Sequence, residues 1–231
     1  MSLQIGVNLI DNSSPLLRDI IQGIVHVHAG CIIHDNTMAT FMPPLDHSKI
    51  FRWWQARVDE ASAGERQIIV YLAEPLTRTA IAGPQGITAA FADSSWPTIP
   101  ATSTSPELEV AGLVSLATPF SETGPFRGFI EKLFASPLHR RKGVARSVMA
   151  KLEEVAWSLG RWSLLLDTTV GTDAEHVYPR LGYRLCGGVK EFGFSPRDGS
   201  LLDEIWFAKD LRKDRRLWED AKEEQNKEET V

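Results

Sequence analysis

The sequence predicts an α/β fold (α+β in the finer classification) with seven strands and four helices. Short apolar runs rich in strand-forming residues alternate with longer segments in which apolar residues recur at helical spacing. Of the 231 residues, 43% are hydrophobic and 24% are charged, which is typical of a globular chain that buries a sizeable core. Near the middle of the chain, a strand, a basic glycine-containing turn and a helix follow one another, and this unit organises the rest.

The N-terminal half is predicted to contain three strands and two helices. The first helix follows a run of capping residues and Pro15, a residue type suited to a helix start. The second helix has Asp46 or Ser48 as its candidate cap. In chain order the predicted elements are a strand over 4–10, helices over 15–28 and 48–63, and strands over 67–73 and 108–118.

Segment 74–106 is rich in alanine, threonine, serine, glycine and proline, and it has only weak periodicity. We predict a loop insertion here and not a domain boundary. Residues from 211 onward are heavily charged with mixed sign, which predicts an exposed, frayed helix or disorder. The expected organisation is a single domain over 1–210, followed by a charged C-terminal tail over 211–231.

The C-terminal half predicts four strands and two helices. Pro137 ends the central strand, since it lacks the N–H group that a strand ladder needs. Gly160 and Gly182 are suited to end the two helices. The predicted elements are strands over 129–135, 162–169, 183–189 and 202–210, and helices over 144–159 and 174–181.

Arg140, Arg141, Lys142 and Gly143 form the turn between the central strand and its helix. The first backbone N–H groups of a helix have no partner inside the helix, and the helix dipole adds partial positive charge there. Glycine lets an anion approach the backbone, and the three cationic side chains add full charges. The turn therefore predicts an anion site suited to a pyrophosphate. The alternative is a solvated basic turn, or a short run like a nuclear-localisation signal.

Several classes of function find no support in the sequence. A net charge of −5 gives no electrostatic basis for a general nucleic-acid role. No apolar stretch has membrane-spanning length, and the first residues lack the pattern of a signal peptide. The two cysteines form no metal-binding or disulfide pattern, and His26 and His28 do not share a helix face. We expect a cytoplasmic protein without a metal, nucleic-acid or membrane partner; a nuclear location and a homodimer stay open.

The pattern Arg140-x-x-Gly143-x-Ala145, after a strand ending in Leu-Phe-Ala-Ser-Pro, resembles motif A of the GNAT superfamily, the acyl-CoA-dependent N-acetyltransferases. Segments 166–171 and 174–183 resemble motif B, with Gly171 where many members have asparagine. Together with segment 196–201 they are similar to the enzymes related to the tabtoxin resistance protein, which acetylate small molecules. The resemblance covers 63–67 and 109–211. It implies the GNAT fold, with a mixed, mostly antiparallel twisted sheet that is splayed at its central strands.

The resemblance also implies acetyl-CoA as the cosubstrate. Backbone N–H groups near the end of the central strand would face the pantetheine and acetyl groups and stabilise a developing oxyanion. The basic turn would hold the pyrophosphate through backbone N–H groups and charge. The implied cofactor-binding residues are Leu133, Phe134, Ala135, Arg140, Arg141, Lys142, Gly143, Val144, Ala145 and Arg146.

Three residues are candidates for the catalytic chemistry. Tyr178, in the short helix that faces the splayed strands, could protonate the departing thiolate; the alternative is a core tyrosine. Asp167, at the C-terminal end of its strand, would reach the amine as base or anchor, or else serve as a structural acceptor. Related enzymes often carry an acidic residue near Phe129. Glu131, two residues on and on the same strand face, is the reserve base.

The predicted function is acetyl-CoA-dependent transfer of an acetyl group to a primary amine of a small molecule by direct attack. A free alkylamine titrates near ~10.4, so a base or a desolvating pocket is needed. One alternative is a protein or peptide N-acetyltransferase, in which the insertion and the tail grip a polypeptide. Another is a GNAT-fold protein that binds acyl-CoA without turnover, which the presence of Tyr178 and Asp167 disfavours.

Overall fold

The computed structural model describes residues 3–75 and 107–213, which form seven strands and four helices in the predicted order. The strands are β1 (Gly6–Ile10), β2 (Arg66–Ala73), β3 (Glu109–Ala117), β4 (Arg127–Ala135), β5 (Ser163–Thr169), β6 (Arg184–Phe194) and β7 (Leu201–Asp210). The helices are α1 (Leu17–Asp35), α2 (His47–Ser62), α3 (Val144–Ser158) and α4 (Asp173–Arg180).

Two predicted segments fall largely beyond this description. The predicted insertion over 74–106 lies outside the described residues apart from Glu74 and Pro75, and the predicted tail lies outside them beyond residue 213. Within 3–75 and 107–213, none of the helices combines the length and the apolar character needed to cross a membrane.

The seven strands form one sheet in the order β1-β2-β3-β4-β5-β7-β6. All neighbours are antiparallel except β4 and β5, which are parallel. These two strands pair over 127–129 and 163–165, and the described strands show no further pairing between them. Toward their C-terminal ends, β4 and β5 therefore leave backbone groups facing an open cleft. The predicted mixed sheet with splayed central strands is confirmed.

Helices cover both faces of this sheet. One core cluster joins α1 and α2 to the sheet around the fully buried Trp54, and the other joins α3 and α4 to it around Leu152. Ile68 and Ile69, neighbours on β2, belong to opposite clusters, as the alternation of strand side chains requires. The cleft between β4 and β5 can therefore receive side chains from two separate layers.

The first helix differs from its prediction at both ends. It begins at Leu17 after a left-handed Leu16, without a side-chain cap, although the sequence predicts capping before Pro15. It continues to Asp35 and not only to residue 28. Cys31 and Ile32 are buried in the core, and their burial offsets the low helix propensity of Gly30.

Strand β6 is also longer than predicted, because it runs to Phe194 and not only to Val189. A register shift against β7 between Val189 and Gly193, with Glu191 at φ 53°, accommodates extra residues and lets pairing resume. The extension stays paired with β7 and brings β6 toward the connection between α1 and α2.

Candidate active site

The N-terminus of α3 presents unpartnered backbone donors. Gly143 adopts φ 79° at the helix start and supplies no side-chain cap. The Ser147 N–H donates to the Gly143 carbonyl at 2.9 Å, which makes it the first donor inside the helix. The N–H groups of Val144, Ala145 and Arg146 precede that bond and have no acceptor within the helix. This is the geometry that binds phosphate oxygens.

The side chains of the basic turn do not all have the same role. Arg141, Lys142 and Arg146 are exposed. Arg140 forms an ion pair with Asp35 at the end of α1, so part of its charge is compensated. The turn therefore offers exposed cations beside the helix N-terminus, and Arg140 also ties the turn to α1.

A buried hydrogen bond holds the turn from the other side. His139 closes a short 3₁₀ segment, Pro137–His139, and its Nε2 pairs with a carboxylate oxygen of Glu109 at the start of β3. Both residues are at most 3% exposed. The side chain of Ser136 accepts a bond from the Leu138 N–H at 3.3 Å. The turn is thus fixed to the sheet before any ligand arrives.

Strand β4 carries a bulge beside the cleft. Between two paired positions β3 advances from Leu113 to Ser115, whereas β4 advances from Glu131 to Phe134, so β4 contains one additional residue. Lys132 adopts φ 57°, a left-handed conformation that residues other than glycine seldom take. A bulge at this place changes the direction of the backbone and of the Lys132 side chain.

The end of β4 turns a backbone donor toward the cleft. The Ser136 N–H donates to the Ala111 carbonyl of β3 at 2.8 Å. Successive N–H groups of a strand point to opposite sides, so the Ala135 N–H points away from β3 and toward the side of β5. This placement agrees with the role that the sequence analysis gives to residues 133–135, which stays a prediction.

Asp167 and Glu204 form a hydrogen-bonded carboxyl pair just past the point where β4 and β5 separate. Asp167 lies two residues after Leu165, the last β5 residue that pairs with β4. Glu204 lies on β7, opposite Thr169. Because Leu166 packs in the cluster of α3 and α4, its neighbour Asp167 points to the face covered by α1 and α2.

The pair binds a proton more tightly than isolated carboxyl groups do. Asp167 is exposed at the cleft, and desolvation by its packed neighbours raises its pKa, although its hydrogen bond with Glu204 and the charge of Lys132 oppose this rise. Burial is the larger cause that raises the pKa of Glu204 to about 7, and the charge of Asp167 is the next. Glu204 is only 6% exposed. The pair can therefore exchange a proton near neutral pH.

Lys132 and Glu204 are site residues that the sequence analysis missed. The ammonium of Lys132 lies 5.9 Å from the centroid of the Trp53 ring. Burial lowers the pKa of Lys132, against the charges of Glu131, Asp167 and Glu204. A signal for Glu204 existed, since it is a carboxylate directly before the apolar run 205–208 of its strand. Lys132 had no comparable signal, because its direction depends on the bulge.

Glu131 belongs to a different network. Arg66 donates from Nη1 to Glu131 Oε2 at 2.7 Å and to Ser115 Oγ at 2.6 Å, and from Nε to Glu60 Oε2 at 2.7 Å. Arg66 is buried, so these bonds compensate its charge inside the protein. The structure thus gives Glu131 a structural partner, and its role as reserve base stays a prediction.

Tyr178 lies on the other side of the cleft. It is 5% exposed in the cluster of α3 and α4, with its ring centroid 5.7 Å from that of Phe207 and 6.1 Å from that of Tyr183. Burial, and to a lesser degree the charge of Asp167, raise the pKa of the Tyr178 phenol. The phenol therefore keeps its proton at neutral pH and is available as a donor.

A cavity of about 280 Å³ opens between the connection of α1 to α2 and the hairpin of β6 and β7. Residues 38–42 form one wall, residues 192–194 and Pro196 form the other, and Glu204 lines it as well. Asn36 connects the two walls, because its Oδ1 accepts hydrogen bonds from the Ser195 hydroxyl at 3.2 Å and the Arg197 N–H at 3.0 Å. We call this space the acceptor cavity.

His28 supports one wall of the acceptor cavity. Its Nε2–H donates to the Ala39 carbonyl at 2.8 Å, and its Nδ1 accepts from the Trp54 Nε1–H at 3.0 Å. Burial lowers the pKa of His28 to about 4, so the ring is neutral and stacks on Phe134. Within the described ranges, no group of three or more histidine, cysteine or acidic residues could hold a metal ion.

Comparison with known proteins agrees with this geometry. Residues 92–183 match the model of the acetyltransferase (GNAT) family, and the match begins inside the predicted insertion. A GNAT superfamily phosphinothricin acetyltransferase from Sinorhizobium meliloti in complex with AcCoA is 15% identical, with a TM-score of 0.58 over 90% of this chain and 89% of that chain. Ribosomal-protein-alanine N-acetyltransferase from Brucella melitensis is 16% identical, with a TM-score of 0.56 over 88% of this chain and 99% of that chain.

An N-acetyltransferase from Staphylococcus aureus Mu50 has a TM-score of 0.58 at 12% identity, over 89% of this chain and 98% of that chain. At such identities the likeness establishes the fold. These comparisons do not confirm the predicted resemblance to the enzymes related to the tabtoxin resistance protein. The match over 92–183 and the similar structures agree with the GNAT fold that the sequence predicts.

Proposed function

We propose that the protein transfers the acetyl group of acetyl-CoA to a primary amine of a small molecule. One observation carries this proposal: the open N-terminus of α3 and the Asp167–Glu204 pair lie at the same end of the parallel strands β4 and β5. An anion site for the donor and a proton acceptor for the amine are thereby brought to one cleft.

The donor side requires little beyond the backbone. The N–H groups of Val144 to Arg146 would bind the pyrophosphate oxygens, and the exposed side chains of Arg141 and Lys142 would add charge. The Ala135 N–H, which points toward the cleft, would donate to the thioester carbonyl oxygen as negative charge develops there.

The acceptor must lose a proton before it can react, because an alkylammonium has no free electron pair. The Asp167–Glu204 pair is placed to take that proton, directly or through water. The amine nitrogen then attacks the carbonyl carbon, the C–N bond forms, and the C–S bond breaks. Tyr178 gives its hydroxyl proton to the thiolate, and the proton that the new amide nitrogen sheds restores the phenol through solvent. The products are the N-acetylated amine, CoA thiol and one proton.

The size of the acceptor cavity favours a small acceptor over a polypeptide. A volume of about 280 Å³ is near the lower end of ordinary ligand pockets. The resemblance to enzymes related to the tabtoxin resistance protein points the same way. The names of similar structures include both phosphinothricin and ribosomal-protein acetyltransferases, so they do not choose between the two classes.

A screen of amines tests this function. The protein is incubated with acetyl-CoA and with free amines, amino acids or peptides, and release of CoA thiol is measured together with product mass. We expect acetyl-CoA to raise the melting temperature and at least one free amine to be acetylated. Acetylation of peptides alone would favour the protein N-acetyltransferase. Binding of acetyl-CoA without turnover of any amine would favour an acyl-CoA-binding protein.

A further inference from the structure

The residues that line the acceptor cavity indicate the chemical class of its ligand. We propose that the acceptor is a primary amine carried on an apolar or aromatic body, with the ammonium at the Asp167–Glu204 pair. This inference rests on the proposed function and adds the substrate class. It concerns a free small molecule of this kind, not a peptide.

The walls of the cavity are apolar and deformable. The described lining includes two methionines and three phenylalanines: Met38, Met42, Phe41, Phe192 and Phe194. Phe192, Phe194 and Met42 are about half exposed or more, at 53%, 63% and 48%. Side chains of this kind gain most from an apolar partner that removes them from water. Methionine and aromatic groups also suit the face of an aromatic ring.

One end of the cavity is acidic. Glu204 is the charged residue in the described lining, and it pairs with Asp167 at the cleft. An ammonium group has three N–H donors and a positive charge, which suits the oxygens of a carboxyl pair. The same contact places the amine beside Asp167, at the cleft.

The lining also disfavours acceptors that bear their own negative charge. None of the described lining residues is arginine, lysine or histidine. An acceptor with a carboxylate or phosphonate would bring that anion near Glu204, where the charge of Lys132 is already opposed by Glu131, Asp167 and Glu204. The site thus differs from one built to hold an acidic amino acid, for which cationic side chains are needed.

A matched panel of amines tests the class. CoA thiol release is measured with 2-phenylethylamine and hexylamine, with spermidine as a hydrophilic amine, and with glutamate as an acidic one. We expect kcat/KM for the two apolar amines to exceed that for glutamate and spermidine by at least about tenfold. Higher kcat/KM for glutamate or spermidine would overturn the proposal while leaving the acetyltransferase function intact.

Two variants of β6 test the wall itself. Phe194→Ser removes an aromatic lining side chain, whereas Leu185→Ser removes an apolar side chain of the same 63% exposure outside the described lining. We expect Phe194→Ser to raise the KM for 2-phenylethylamine by about fivefold to tenfold with an unchanged Kd for acetyl-CoA, and Leu185→Ser to leave both values unchanged. Equal KM values in the two variants would overturn the assignment of this wall.

The acidic end is tested by binding without turnover. In the presence of CoA, calorimetry gives the Kd of 2-phenylethylamine and of its neutral analogue 2-phenylethanol for wild type and for Glu204→Gln. We expect the Kd of the amine to be about tenfold or more higher for the variant than for wild type, and the Kd of the alcohol to change by less than about twofold. Equal weakening of both ligands would overturn the ammonium contact. If acetyl-CoA binds and no amine of any class is acetylated, the proposed function fails, and this inference fails with it.

Discussion

The donor side and the acceptor side of the cleft are built in opposite ways. The donor side consists of one continuous stretch, from the end of β4 through the basic turn to the first turn of α3. The acceptor side is assembled from four separate parts: residues 38–42, the end of β5, residues 192–196 and Glu204 on β7. Continuous sites can be read from local sequence, whereas assembled sites depend on the whole fold.

The two sides also use different chemistry. The donor side relies on backbone N–H groups and on exposed cations, which need no change of protonation state to hold phosphate. The acceptor side contains carboxyl groups whose pKa values are raised by desolvation, and the proposed reaction with an amine would require a proton acceptor near neutral pH. Substitutions on the donor side should therefore change affinity, and those on the acceptor side should change pH dependence and rate.

The largest expected effect is on the donor side, in Gly143→Glu. This change puts a carboxylate where the phosphates would lie. We expect the Kd for acetyl-CoA to increase by at least about a hundredfold. Acetyl-CoA should then no longer raise the melting temperature of the variant, as we expect it to do for the wild type. Gly160→Glu is the matched control. Gly160 lies beyond the other end of α3, has a similar φ of 70° against 79°, and likewise has open space at its Cβ position. Retained binding in Gly143→Glu would contradict the assignment of the anion site.

The next effect concerns Tyr178, the candidate donor of a proton to the thiolate. Tyr178→Phe removes only a hydroxyl group, and we expect kcat to fall by about a hundredfold or more with an unchanged Kd for acetyl-CoA, since general acid catalysis contributes ~10²–10⁴-fold. Tyr183→Phe is the control, because Tyr183 is as well buried and its ring lies 6.1 Å from that of Tyr178. Full activity in Tyr178→Phe would remove this residue from the mechanism.

A third comparison separates the two candidate bases on the acceptor side. If Asp167 takes the proton of the amine, Asp167→Asn should lose about tenfold or more in rate at pH 7, and less at pH 9, where more amine is already neutral. Glu131→Gln is measured over the same pH range. We expect it to lower the melting temperature, because it leaves Arg66 less well compensated, without this pH dependence. A pH-dependent loss in Glu131→Gln alone would transfer the role of base to Glu131.

The smallest effect is one of stability. The pKa of Glu204 is raised from 4.5 to about 7 on folding, so the folded protein binds this proton more tightly than the unfolded chain does. The resulting stabilisation is present in full below the unfolded pKa and is lost as the pH rises through about 7. The melting temperature of Glu204→Gln relative to wild type should therefore increase by a few degrees between pH 5 and pH 8.

Glu154→Gln, at an exposed site on α3, is the control for this measurement, and its difference from wild type should stay constant with pH. A constant difference in Glu204→Gln would mean that the folded protein does not favour the protonated carboxyl group.

Local sequence determined the elements and the donor side. Local patterns predicted the seven strands and four α-helices that the structure describes, with other ends for α1 and β6, because burial of one face selects the spacing of apolar residues. The pattern from Arg140 to Ala145 predicted the candidate anion site, since a helix N-terminus and its preceding turn are formed by neighbours in the chain. Tyr178 and Asp167 were located by resemblance, and their catalytic roles remain predictions.

Tertiary structure alone decided the acceptor side. Lys132 reaches the carboxyl pair only because β4 bulges at that residue, and a bulge depends on the pairing with β3. Glu204 and Asp167 are 37 positions apart in numbering yet share a hydrogen bond, because β7 is inserted between β5 and β6 in the sheet. The pKa of Glu204 follows from burial and from that neighbour, which are properties of the folded chain and not of any local pattern.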